Sequence, residues 1–224
     1  MHEFLAEFTN QDLIGGTLIF RGQAQKGNLL PGIARLNRLN NTTETERKML
    51  NELRLRGQMR LSGAPKSSLD LLILAQHYGM KTRLLDWTSN PLAALWFACA
   101  DRNSGDVYVY VIDASKHMVV LDENFDPFAQ NKTLVVRPSL SNDRILAQHG
   151  WFTLHRFSKS GHGGFFPLEK MQGGDLQVAY EYHIPGNARD SIISDLDRCG
   201  INRATLMPDL GGLCQHLNFL HNFS

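Results

Sequence analysis

Residues 76–98 read QHYGMKTRLLDWTSNPLAALWFA and combine polar and apolar signals more densely than any other part of the chain. Gly79 suits the end of a helix, and TRLLDWT has the character of a short strand or extended segment. Pro91 stands at a first-turn position, so NPLAALWFACAD is predicted to be a helix. The stretch therefore predicts a helix end, a strand and a second helix in close succession.

The sequence before this stretch predicts two helices and a strand. SSLDLLILAQHYG, residues 67–79, is too continuously apolar for a surface helix, so we place it in the core, capped by Ser67 or Ser68. Thr43 with Glu46 three residues later predicts a capping box at the start of an exposed amphipathic helix. GGTLIFRGQ predicts a strand over residues 17–20 that ends on Arg21 and Gly22.

The sequence after the stretch adds further strands and helices. GDVYVYVID, LVVRP, GWFTLH and LQVAYEYHIP are strand candidates, while ARDSIISDLDRCG and DLGGLCQHLNFLH are helix candidates. The βαβ alternation of a doubly wound sheet does not recur, so we predict an α+β fold with mixed or antiparallel sheets and flanking helices. Without a long linker, we expect a single domain over residues 1–224, with a core at about 15–220.

Composition and charge give no support to several classes of protein. The formal net charge of +1 gives no global reason to expect nucleic acid as a partner. Three widely spaced cysteines and scattered histidines support neither a disulfide framework nor a metal site, so no metal is predicted. The first residues carry acids and lack a long apolar core, and no window approaches the about 18 apolar residues of a membrane span. We therefore expect a cytoplasmic protein with no membrane partner.

Three groups of polar residues are candidates for a site. Arg21 followed by Gly22 offers a donor fork beside an open backbone, suited to phosphate or ribose-phosphate oxygens, although a structural ion pair at a strand end is the alternative. Gln76, His77 and Tyr78 project near a helix end and can line a cavity. A third group, Gln148 to Gly150, forms a polar turn before GWFTLH.

Strand periodicity divides the polar residues of the central stretch between two faces. Alternation puts Arg83, Leu85 and Trp87 on one face, and Leu84, Asp86 and Thr88 on the other. Asp86 would therefore pair with a more distant arginine, such as Arg21 or Arg144. Core packing is the alternative role for Trp87, as a satisfied structural histidine is for His77.

The three groups together resemble the FRG domain family, which is named for its Phe/Tyr-Arg-Gly motif. Phe20, Arg21 and Gly22 match that motif, and AQHYGMKTRLLDWTSNPLAALWFA is similar to the central signature of the family. RILAQHGWFTLH resembles a third block, and TLMPDLGGLCQHL a closing block from which Met207 and Gly211 depart. The resemblance extends over roughly residues 15–220. It implies a protein of bacteria or their phages, with a role in the conflict between bacteria and phages.

The layout also resembles that of ADP-ribosyltransferases, which implies NAD as a substrate. In those enzymes a first-strand Arg or His is followed by a Ser/Thr-rich second strand and a helix, and then by a third motif that carries a catalytic Glu. Arg21 matches the first motif and DWTSNPLAALWFA the second, but Arg144 stands where the Glu is expected in NDRILAQHG. An arginine cannot stabilise the developing cation, so Asp86 is the first candidate acid and Glu181 the second.

The resemblance implies NAD-dependent ADP-ribosyl transfer or cleavage of the N-glycosidic bond, with Asp86 and Arg21 as catalytic residues and Tyr78 or Trp87 stacking on a ring. The residues predicted to bind the nucleotide are Arg21, Gly22, Gln76, His77, Tyr78, Thr82, Arg83, Trp87, Thr88, Arg144, Gln148 and His149. One alternative is a non-catalytic module that senses a nucleotide or binds a protein. Another is an enzyme or binder directed at nucleic acid, for which the basic stretch from Arg35 to Arg60 gives a local reason.

Overall fold

A computed structural model describes residues 2–6, 17–61, 65, 67–100, 105–119, 125–138, 142–159, 163–173, 175–221 and 223. The strands within these residues are β1 (Leu18–Gln23), β2 (Leu84–Thr88), β3 (Val107–Asp113), β4 (Leu134–Val136), β5 (Gly150–Leu154) and β6 (Tyr180–Ile184). The helices are α1 (His2–Ala6), α2 (Thr43–Gly57), α3 (Ser68–His77), α4 (Pro91–Cys99), α5 (Asp143–Ala147), α6 (Arg189–Arg198), α7 (Arg203–Leu206) and α8 (Leu210–Leu220).

The six described strands form one open sheet in the order β4-β5-β2-β1-β3-β6. Every neighbouring pair of these strands is antiparallel. The predicted α+β class with antiparallel strands is therefore confirmed.

The two faces of the sheet pack against different parts of the chain. On one face, Leu85 and Trp87 join a buried cluster that Leu29 of a loop and Leu168 of a short 3-10 helix complete. The other face is covered by helices, with α4 over β1 and β3 and α3 over β2 and β5. Leu84 lies in this helix-covered face, so the alternation predicted for β2 is confirmed.

Side-chain caps fix the starts of the two helices that flank β2. Ser67 Oγ accepts a hydrogen bond from the Asp70 amide at 3.0 Å, and Asn90 Oδ1 accepts one from the Leu92 amide at 2.9 Å. Pro91 is the first residue of α4, where a missing N–H costs nothing. These helix starts are as the sequence predicts, because their signals are local.

The predicted capping box of α2 is wrong. The N-cap is Thr42 rather than Thr43, and no side-chain hydrogen bond caps the helix. Glu46 is fully buried and binds Arg83, and its Oε2 also accepts a hydrogen bond from the Thr42 hydroxyl at 3.3 Å. The first strand also runs further than predicted, since β3 pairs with it as far as Gln23.

Two features are absent from the described part of the chain. No helix there is long and apolar enough to cross a membrane. No group of three or more His, Cys, Asp or Glu residues among the described residues is placed to hold a metal ion.

Candidate functional site

A cleft of about 410 Å³ lies along the line where β1 meets β2, and residues from both faces of the sheet line it. In these two described strands, Phe20 and Thr88 are the one paired position. The end of α3, Phe97 of α4 and the start of α5 surround the opening. The predicted site residues that line the cleft are Arg21, Gly22, Gln76, His77, Asp86, Trp87, Thr88, Arg144 and Gln148.

Arg21 bridges the two strands beside this single paired position. Its Nη1 donates to the backbone carbonyl of Asp86 at 2.8 Å, and its Nε donates to Gln23 Oε1 at 3.2 Å. The predicted contact between Arg21 and Asp86 therefore exists, but through the main chain. Burial lowers the pKa of Arg21 to about 10, and the charge of Arg35 adds a smaller lowering. The negative charge of Asp86 acts in the opposite direction and raises the pKa. The guanidinium thus carries a positive charge in a poorly solvated place.

The charged lining of the cleft is mainly cationic. Arg21, Arg35, Lys81 and Arg144 line it, whereas Asp86 is the one carboxylate among its described lining residues. Such a cavity favours an anionic ligand. Neither Arg35 nor Lys81 is among the site residues predicted from the sequence. Lys81 lies inside the quoted central stretch, and Arg35 belongs to the basic region that follows Pro31.

Asp86 is held by a short chain of side-chain hydrogen bonds. Gln76 Nε2 donates to Asp86 Oδ1 at 3.1 Å and to the Leu84 carbonyl at 3.2 Å. The hydroxyl of Thr82 donates to Gln76 Oε1 and accepts from the Leu84 amide, which fixes the orientation of the Gln76 amide group. Thr82 is fully buried, so it acts on Gln76 and has no surface for a ligand.

Gly22 is required by the packing of α4. A Cβ atom at this position would lie 1.8 Å from the Ala94 carbonyl oxygen and 2.5 Å from the Ala98 amide nitrogen. The role expected from the sequence was an open backbone beside a phosphate. The structure instead gives this glycine a close contact between β1 and α4.

Arg83 lies outside the cleft. Its side chain is 1% exposed and pairs with Glu46, with 2.8 Å between Arg83 Nη2 and Glu46 Oε2. The guanidinium also lies 4.5 Å from the centroid of the Phe128 ring. These contacts give Arg83 a structural role in place of the predicted contact with a ligand.

Of the two aromatic residues predicted to stack on a ligand ring, Trp87 lines the cleft with little exposed surface, and Tyr78 does not line it. Trp87 is 3% exposed, and its Nε1 donates to Thr153 Oγ1 at 3.0 Å within the core. Tyr78 is 78% exposed and packs its ring edge-on against His77, and it does not line the cleft. His77 does line it, and burial together with the charge of Arg144 lowers its pKa.

The third predicted motif folds as a short helix at the rim of the cleft. Arg144 lies in α5, which Asn142 caps, so it is not on a strand as the transferase-like layout expects. Gln148 ends this helix, and its side chain donates to the Leu206 carbonyl at 2.9 Å. His149 has a left-handed backbone, with φ of 48°, and does not line the cleft.

A buried hydrogen-bond chain supports β2 on the face of the sheet that carries Leu85 and Trp87. Since the Trp87 indole can only donate, Thr153 Oγ1 accepts from it and directs its own hydrogen to His155 Nε2, at 3.0 Å. Burial, with smaller contributions from the charges of Arg21 and Arg83, lowers the pKa of His155 to about 3. His155 is therefore neutral at ordinary pH. No signal in the sequence singled it out.

Glu181, the second candidate acid, lies away from the cleft. It is on β6 opposite Tyr110 of β3, which in turn is opposite Arg21. Its carboxylate pairs with Lys26 at 3.0 Å. Asp86 is therefore the candidate acid that the structure places in the cleft.

Comparison with known proteins identifies a family over the part of the chain that supplies most of the cleft. The model of the FRG domain family matches residues 16–107. This span includes β1, α3, β2 and α4, and with them Arg21, Gln76 and Asp86. No curated protein and no solved structure gives a significant match. The resemblance to the FRG family that the sequence predicts is confirmed over this span.

Proposed function

We propose that the cleft, most of whose lining residues belong to the FRG domain match at residues 16–107, binds a phosphate-bearing nucleotide of the NAD type. The charge of the cleft carries the proposal, since four cationic side chains surround one carboxylate. Guanidinium groups bind phosphate oxygens through paired, charge-assisted hydrogen bonds. The cleft volume of about 410 Å³ lies within the range usual for small-molecule sites.

We further propose that the cleft cleaves the bond between nicotinamide and ribose, as in ADP-ribosyl transfer. The C1′–N bond breaks, its electron pair leaves with nicotinamide, and positive charge develops on the ribose. A water molecule or an acceptor nucleophile then bonds to C1′ and loses a proton. Asp86 supplies the negative charge that stabilises the ribose cation. Gln76 orients the carboxylate through its bond to Oδ1.

The order of the elements around the cleft supports this reaction. Arg21 is on β1, and β2 runs directly into α4, as the likeness to ADP-ribosyltransferases implies for the first two motifs. The third motif departs from it, because α5 carries Arg144 in place of an acid. We therefore propose the likeness to the transferase fold on the basis of the first two motifs.

Release of nicotinamide from NAD tests the proposal. We expect wild-type protein to release nicotinamide, measured by liquid chromatography. We expect Asp86→Asn to lower kcat by about 100-fold, the usual size of effect when one electrostatic contact to the transition state is lost. Arg21→Gln should chiefly raise KM, because it removes a phosphate contact. Glu44→Gln, which changes an exposed acid in the first turn of α2, is the control and should leave both constants unchanged.

Three results would contradict parts of the proposal. Full turnover in both Asp86→Asn and Arg21→Gln would refute the assignment of the site. Loss of turnover in Glu181→Gln alone would transfer the acid role to β6. If the wild type neither releases nicotinamide nor binds NAD or ADP-ribose in calorimetry, nucleotide recognition is refuted.

A non-catalytic nucleotide sensor is the second candidate function. The position of Arg144 favours it, since the transferase-like layout places an acid there. This function predicts saturable binding of NAD or ADP-ribose, measured by calorimetry, with no product formed over several hours. Accumulation of nicotinamide would exclude it.

The nucleic-acid alternative has less support, because some of the basic residues of the 35–60 region are paired. Arg47 binds Asp126 and Arg56 binds Glu52, each at 2.6 Å. A steep salt dependence of binding to nucleic acid would revive this alternative. A cytoplasmic location and a role in bacteria–phage conflict stay predictions.

A further inference from the structure

A second cavity lies behind α4 and shares no lining residue with the cleft. Its volume is about 780 Å³. Trp96 of α4 forms one wall, whereas Phe97, the next residue, lines the cleft. The remaining walls come from α6, α7 and α8.

Two arginines in this cavity bind only neutral groups among the described residues. Arg189 is 6% exposed, and its Nη2 donates to the Cys99 carbonyl at 3.0 Å. Its Nε is buried and has no hydrogen-bond partner within the described chain. Arg203 Nη1 donates to Gln215 Oε1 at 2.7 Å. The described residues place no carboxylate within ion-pair distance of either guanidinium.

Asp190 and Asp197 also line the cavity, but neither forms an ion pair with Arg189 or Arg203. Asp197 Oδ1 accepts from Asn202 Nδ2 at 2.9 Å and lies 3.7 Å from His216 Nε2. Asp190 is exposed at the start of α6. A buried guanidinium without an anionic partner is costly, so the site favours an anion that brings its own negative charge.

Aromatic rings supply the other half of the lining. The guanidinium of Arg203 lies 5.3 Å from the centroid of a Trp96 ring. Further rings come from α8, where those of His216 and Phe219 stack at 6.3 Å with an interplanar angle of 21°. Phe223 adds another apolar wall. A ligand with a planar apolar body would contact these rings while its charged group reaches the arginines.

We propose that this cavity is a binding site for a small aromatic anion. The acidic group of the ligand binds Arg203 and Arg189, and its ring packs against Trp96 and Phe219. The proposal does not depend on the function of the cleft, because the two cavities have separate linings.

Calorimetry with 1-naphthyl phosphate tests the proposal, with neutral 1-naphthylmethanol as the matched compound. We expect saturable binding of the phosphate and at least tenfold weaker binding of the alcohol. Arg203→Gln should weaken binding of the phosphate about tenfold or more, since it removes a charge-assisted contact. Arg198→Gln is the control and should change nothing, because this arginine of α6 is exposed and pairs with Asp195 outside the cavity.

The cleft is also cationic, so variants of it locate the probe. Arg21→Gln and Arg35→Gln should leave the affinity for 1-naphthyl phosphate unchanged. If these variants abolish binding while Arg203→Gln binds normally, the probe occupies the cleft and the proposal is refuted. Equal binding of the phosphate and the alcohol, or no binding to the wild type at millimolar concentration, would also refute it. Thermal unfolding of each variant verifies that the protein is folded.

Discussion

At the scale of single residues, the ion pair of Arg83 and Glu46 shows how a motif residue can be structural. Their side chains are 1% and 0% exposed. Both carboxylate oxygens are used, because Oε2 accepts from the guanidinium and Oε1 from the Arg83 amide. Together with the Phe128 ring, this pair fixes α2 against the segment that enters β2. Loss of this ion pair would therefore disturb the cleft, although neither residue lines it.

We expect Glu46→Gln to lower the free energy of unfolding by about 3–5 kcal/mol, because it leaves a buried guanidinium without its counter-charge. Urea denaturation measures the change. The control Glu52→Gln removes an exposed pair with Arg56 and should cost at most about 1 kcal/mol. Equal urea midpoints for the two variants would contradict the structural role of the buried pair.

At the scale of elements, β1 and α4 approach each other more closely than most side chains would permit. Gly22 meets the backbone of α4, and the helix presents the fully buried small residues Ala93, Ala94 and Ala98 to the core around the sheet. The glycine of the Phe-Arg-Gly motif and the alanines of the central signature are thus complementary parts of one contact. This contact also holds Arg21, the preceding residue, at the cleft.

We expect Gly22→Ala to destabilise the protein by about 3 kcal/mol or more, since the new Cβ would meet main-chain atoms that cannot rotate away. For a chain of this size that corresponds to a fall in Tm of roughly 10 °C, measured by calorimetry. Gly105→Ala is the matched control, because nothing lies within 4 Å of the point where its Cβ would stand and its backbone is not left-handed. A similar Tm for the two variants would argue against the close contact.

Helices and strands were predictable where their signals are local. Ser67, Asn90 and Pro91 mark the starts of α3 and α4, and the Val-Tyr alternation marks β3. The capping box failed because the carboxylate of Glu46 binds an arginine 37 positions away, and such a partner leaves no local pattern. The far end of β1 was missed for the same reason, since its pairing partner is β3.

At the scale of the whole molecule, the site was predictable only in part. The motifs identified Arg21, Gln76, Asp86 and Arg144, which the fold brings to one cleft. Strand periodicity correctly assigned Trp87 to the same face as Leu85, but it did not show that other chain segments bury that face. Arg35 and Lys81 reach the cleft from loops, where no periodicity applies. Local pattern therefore found the candidates, and tertiary packing decided their roles.

The stability of the molecule should depend on pH through His155. Its pKa of about 3 lies below the usual value near 6.5, so the unfolded chain takes up a proton first as the pH falls. The stability contributed by neutral His155 is complete above about pH 6.5 and decreases towards pH 3, by up to about 1.4 kcal/mol per pH unit.

Urea unfolding between pH 7.5 and 4 measures this dependence. We expect His155→Gln to flatten the slope of unfolding free energy against pH, because glutamine does not titrate and keeps an acceptor for Thr153. His221→Gln, at an exposed position after α8, should leave the slope unchanged. Identical slopes for wild type and His155→Gln would contradict the assignment.

The single pairing between β1 and β2 also has a mechanical consequence. The sheet consists of two three-stranded parts, β4-β5-β2 and β1-β3-β6, which we call plates. They meet along the line between β2 and β1, which we call the hinge. β1 shares six paired positions with β3, and β2 shares five with β5, against one across the hinge in these described strands. Rotation of the plates would therefore break the fewest backbone contacts here and would change the width of the cleft. A ligand that contacted Arg21 on one plate and Asp86 on the other would restrict this rotation and would stiffen the hinge.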